Sequence, residues 1–143
     1  MKGSSITNLV FAIALVVLAG MLMAHFGVFG RANTSSNGVL APTLSGEALA
    51  GQAVFEANCA SCHGVNGVGT NKGPPLVHDI YNPGHHSDAA FHRAVRNGVQ
   101  QHHWPYGNMP AQTQVSEADV AKILSYVRDL QEVNGIRYRP HRM

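Results

Sequence analysis

Cysteine is almost missing from this chain: Cys59 and Cys62 are the only two among 143 residues. None is left over for a disulfide framework. A zinc knuckle, which needs a second ligand pair at matching spacing, has no second pair to draw on. Net charge is also scarce, and the formal +2 is too small to argue for nucleic acid or a strongly charged partner. No run carries a strand signal, and no segment repeats. From Ile6 to Phe29, 24 residues pass without a formal charge. The rest is enough for one small domain, and such a domain has a small core. Histidine, by contrast, is in excess, with nine copies.

The two cysteines stand in Cys59-Ala60-Ser61-Cys62-His63. This C-x-x-C-H run reads as c-type haem attachment: the thiols add to the two vinyl groups as thioethers, and the next histidine becomes the proximal iron ligand. A redox dithiol would follow a strand in a βαβ unit, whereas the residues before Cys59 read as a helix. An iron that only carries electrons wants a sixth ligand. Of five methionines, Met21 and Met23 lie in the apolar run and Met1 and Met143 are chain ends. Met109, in Gly107-Asn108-Met109-Pro110, is the candidate. A thioether there raises the potential relative to two histidines and leaves no open position on the metal. His78, His85, His86, His92, His102 and His103 are the competing donors. Adjacent surface histidines are, as a rule, simply polar residues.

Taken in order, the chain opens on Lys2 and then the apolar run, which at helical rise spans roughly 36 Å against a bilayer core of about 30 Å. We expect a transmembrane anchor over 1–30. A cleaved signal peptide is the alternative, but its apolar region is shorter, and Val28-Phe29-Gly30 is a poor cleavage site. Residues 31–44 are rich in Asn, Thr, Ser, Gly and Pro and predict a flexible linker. The folded domain is expected over 45–143. Ser45 is a good N-cap for a helix carrying Leu49, Ala53, Val54 and Phe55, with Gly51 one turn before Phe55. Gly64 to Gly73 is a loop stiffened at its end by Pro74-Pro75. Val77 to His86 is irregular, with a turn at Asn82-Pro83-Gly84. Ser87 caps a helix over Asp88 to Asn97, closed by Gly98, with Phe91 and Val95 facing inward. Ser116-Glu117-Ala118-Asp119 reads as a capping box before a last helix whose apolar face is Val120, Ile123, Leu124, Val127 and Leu130.

In this order the chain resembles the class I cytochromes c. The resemblance runs from about Gly46 to Leu130. It rests on Gly51 and Phe55, Cys59 to His63, Gly73-Pro74-Pro75-Leu76, Arg96-Asn97-Gly98, Met109-Pro110 and Tyr126. It implies an all-α fold, three main helices and long loops around one covalent haem c. It implies that Gly51 lets the first and last helices cross closely, with Tyr126 meeting the first. It further implies that Pro74 accepts a hydrogen bond from His63 and that Leu76 packs on the haem. Trp104 is expected as a pocket aromatic whose indole N–H finds a haem propionate. The expected cofactor-binding set is thus Cys59, Cys62, His63, Met109, Pro74, Leu76 and Trp104, with His63 and Met109 on the metal.

The function implied is one-electron transfer rather than catalysis, on the periplasmic or external side of the cytoplasmic membrane. Membrane redox complexes are the expected partners: a quinol-oxidising donor and a terminal oxidase or other acceptor, with the bilayer engaged through the N-terminal helix and no nucleic acid. Two alternatives stand beside it. One is a haem-c subunit fixed in a larger membrane oxidoreductase. The other is a ligand-binding or catalytic haem protein with a weak sixth bond.

Overall fold

A computed structural model describes residues 12–17, 33–34 and 38–140. The chain divides into two units, Met1–Arg31 and Ala32–Met143. In the first, residues 12–17 are helical and exposed. Among the described residues no helix is long and apolar enough to cross a membrane. The anchor expected over 1–30 lies, apart from those six residues, outside the described ones.

The second unit is mostly helical. Helix α1 covers Gly46–Asn58, the short α2 covers Ala60–His63, α3 covers Asp88–Asn97 and α4 covers Glu117–Val133. Single 3-10 turns stand at Val65–Gly67 and Asp79–Tyr81. The core forms where α1 crosses α4, around Phe55, Ile123, Tyr126, Val127 and Leu130, all buried. Phe55 and Tyr126 meet edge to face with ring centroids 5.4 Å apart. Gly51 makes that crossing possible, because a Cβ there would sit 1.9 Å from the Lys122 carbonyl oxygen. Tyr126 also donates from its hydroxyl to Asn66 Oδ1 at 2.9 Å, tying the loop after α2 to α4.

Capping follows the sequence in part. At α4 the Ser116 Oγ accepts from the Asp119 N–H at 3.2 Å. The reciprocal half of the capping box is replaced, since Asp119 accepts from the Ser116 hydroxyl itself at 2.7 Å. Ser45 and Ser87 occupy N-cap positions without a side-chain hydrogen bond.

Two expectations need correction. Strand is present: β1 (Asn33–Thr34) pairs antiparallel with β2 (Leu40–Ala41). Two-residue strands are too short to show alternation, so periodicity could not reveal them. The linker over 31–44 is also not free along its length. The Asn134 side chain takes both backbone groups of Leu40, at 2.9 and 2.8 Å, and Val39 and Leu44 pack on the core.

Candidate functional site

The C-x-x-C-H run sits on a kinked helical extension. Cys59 still donates to the Phe55 carbonyl as part of α1, and the Cys62 and His63 amides then turn back to the Cys59 carbonyl. Cys59 is half-buried and Cys62 is exposed, so one sulfur faces inward and the other lies at the surface. Burial, and secondarily the neighbouring Cys62, pushes the Cys59 thiol up to about 11. That is the opposite of the depressed value a redox dithiol requires.

His63 is fixed by the loop it begins. Its backbone carbonyl accepts from the Gly69 amide at 2.6 Å, and Thr70 Oγ1 donates to the Cys62 carbonyl at 2.6 Å. The loop then brings the Pro74 carbonyl within 2.9 Å of His63 Nδ1. A carbonyl only accepts, so Nδ1 carries the hydrogen and Nε2 keeps the lone pair, as a metal-binding imidazole needs. Burial lowers the His63 pKa, with the Pro74 bond opposing, and this favours the same neutral ring.

The opposite wall comes from the loop after α3. Gly98 ends that helix at φ +73°, and a Cβ on it would come within 2.5 Å of the Met109 carbonyl oxygen. Val99 and Met109 then exchange both backbone hydrogen bonds at 2.9 Å. The loop between them is therefore closed at its neck, with Met109 in the closure. Within it, Gln101 N–H donates to Asn108 Oδ1 and Gly107 N–H to Gln101 Oε1.

Between these walls lies a cavity of about 560 Å³, lined mainly by apolar groups. Cys59, His63, Pro74, Leu76, Trp104 and Met109 all line it, and Cys62 does not. Two residues that sequence reasoning missed hold the floor. Gln131, 1% exposed, donates from Nε2 to the carbonyls of Leu76 (2.9 Å) and Tyr81 (3.2 Å). Arg128 donates to Gln131 Oε1, to the Tyr81 and His86 carbonyls and to Asp88. The available signal was a glutamine among Ile123, Val127 and Leu130 on the buried face of α4.

A model of the cytochrome c family matches residues 48–131. The chain belongs to the cytochrome c family. No solved structure matches it. Cytochromes c of class I carry one covalent haem c, and the cavity suits that group. Its size and apolar lining fit a flat macrocycle. The donor set at its walls is imidazole and thioether, both haem-iron ligands. The buried Trp104 Nε1–H has no hydrogen-bond partner among the described residues. The Tyr81 hydroxyl is near enough for the indole to oppose the upward shift that burial gives it, yet the two make no bond of proper geometry. An acceptor such as a propionate oxygen would satisfy that donor.

The histidines divide. His92 pairs with Glu117 and His78 caps the 3-10 turn at Asp79–Tyr81. His86, His102 and His103 line the cavity. Burial and neighbouring imidazoles hold His86 and His103 below the usual range.

Proposed function

We propose that this cytochrome c is a one-electron carrier tethered to the outer face of the cytoplasmic membrane, with both axial positions of its haem filled by protein. The observation that carries this reading is the placement of Met109: it lines the same cavity as His63 and sits in a backbone clasp with Val99. When bound, haem c supplies an iron that alternates between ferric and ferrous. The chain's own residues do the rest. Cys59 and Cys62 would hold the haem covalently, with His63 offering Nε2 and Met109 its sulfur to the iron. Pro74 orients the His63 ring, Leu76 and Phe55 keep water from the cavity, and the Trp104 indole would donate to a propionate. With both ligands supplied by the chain, little would have to rearrange as the charge changes.

The tether is supported by the uncharged run from Ile6 to Phe29. A tethered domain is held at high local concentration beside membrane partners. By analogy with the family, the donor would be a quinol-oxidising complex and the acceptor a terminal oxidase. The test is reconstitution in vesicles: the full chain should carry electrons between such complexes, and a chain starting at Ala32, which keeps the whole second unit, should do so only at much higher concentration. Equal rates for both forms would reject the tether.

A further inference from the structure

Two separate loops meet at the mouth of the cavity, and both bring histidines. His85 and His86 follow the Asn82 turn, and His102 and His103 come from the loop closed by Val99 and Met109. Ring centroids are 4.6 Å apart for His85 and His86, and 5.2 Å apart from His103 to each of them. His85, His86 and His103 each offer a ring nitrogen, and these atoms all lie within 4.8 Å of one another. The converging set is imidazole alone, with no thiolate or carboxylate in it.

The backbone beneath these rings is fixed in advance. Asn82, 8% exposed, accepts on Oδ1 from the Gly84, His85 and Arg139 amides. Arg128 Nη2 donates to the His86 carbonyl at 2.7 Å. His86 Nδ1 lies 2.7 Å from the Ile80 carbonyl, so it carries the hydrogen and Nε2 keeps its lone pair. A ring nitrogen donating to a backbone carbonyl is the usual orienting bond of a metal-binding imidazole.

We propose that His85, His86 and His103 bind one divalent transition-metal ion, of the Zn²⁺ and Cu²⁺ type, at the rim of the haem cavity. Tetrahedral zinc–imidazole bonds place donor nitrogens about 3.3 Å apart, and the His85 ring, whose Nδ1 lies 2.8 Å from His86 Nδ1, would turn away from that contact to bring the trio to this spacing. Imidazole donors select Zn²⁺ and Cu²⁺ over Mg²⁺, Ca²⁺ and Mn²⁺. Three protein ligands leave one position open to water or to a partner's side chain.

The haem-loaded full chain in detergent, stripped with a chelator, tests this. Zn²⁺ is titrated against a chromophoric competitor, and Cu²⁺ is followed by electron paramagnetic resonance. The expected result is one tightly bound equivalent per chain, with imidazole nitrogen couplings on Cu²⁺. His86→Gln and His103→Gln should each weaken binding by about tenfold or more, and His92→Gln should leave it unchanged. The haem spectrum of each variant reports that it has folded. Failure of the haem-loaded chain to bind, as when the histidines serve the haem propionates instead, overturns the proposal. So does binding that persists in the His86→Gln, His103→Gln double variant. The axial ligands are read separately in the metal-free protein, so failure of that assignment is distinguishable.

Discussion

Gly51→Ala is a substitution that helix propensity favours and this structure forbids. In an exposed helix interior, Ala over Gly gains about 1 kcal/mol. At Gly51 the new Cβ would stand 1.9 Å from the Lys122 carbonyl oxygen and 2.4 Å from its carbon. Neither contact is with a flexible side-chain end, so α1 and α4 must part by more than 1 Å. That loosens the Phe55–Tyr126 contact one turn away. Overpacking of this kind costs about 3 kcal/mol at the upper end of its usual range, leaving a net loss of roughly 2 kcal/mol after the propensity gain. Urea unfolding of the haem-loaded protein, followed by far-ultraviolet circular dichroism, measures it. Ala53→Gly, on the exposed side of the same helix, should lose only about 1 kcal/mol. If Gly51→Ala left the midpoint unchanged or raised it, the close crossing of α1 and α4 would be refuted.

Replacing Gln131 with Leu strands the Leu76 carbonyl, while the Tyr81 carbonyl keeps its bond from Arg128, and should cost about 1–3 kcal/mol in the same assay, the usual penalty for one buried unsatisfied group. Cys59→Ala with Cys62→Ala should abolish haem peroxidase staining of the chain on denaturing gels, and staining that persists would contradict thioether attachment. Burial, with Glu56 adding to it, raises the Tyr126 hydroxyl to about 12 from the ordinary 10. The folded state therefore favours the neutral phenol, so stability present below pH 10 is lost as pH rises toward 12. Tyr126→Phe should flatten that alkaline limb by something on the order of 1–2 kcal/mol, the full shift being discounted for solvent screening. N-terminal sequencing of membrane-isolated protein should find Met1, and a start near Arg31 in the soluble fraction would rule out the anchor.

What the sequence disclosed follows from how local each signal is. C-x-x-C-H is contiguous, so Cys59, Cys62 and His63 could be read together. Helices α3 and α4 have periodic apolar faces, α1 shows itself by its Ser45 start and the Gly51–Phe55 pair, and Gly98 and Ser116 mark ends by local chemistry. The Val99–Met109 clasp joins residues ten apart through backbone atoms alone, and backbone pairing leaves little trace in side-chain identity. Gln131 looks like a surface residue until α4 is oriented and the Leu76 and Tyr81 carbonyls arrive from distant loops. The histidine excess was visible as composition, but its meeting point depends on two turns separated by α3. The docking of the C-terminal end of the expected linker was hidden for a similar reason, because the Asn134 side chain that holds Leu40 lies 94 residues away.

The central claim is that Met109 completes the coordination of the haem iron opposite His63, and the near-red absorption of the oxidised protein tests it most directly. The wild type should show the weak sulfur-to-iron charge-transfer band. Met109→Ala should lose that band, have a lower potential and bind carbon monoxide. A wild-type protein without the band, showing the spectrum of two imidazole ligands, would contradict the claim and move the sixth position to one of His85, His86, His102 or His103.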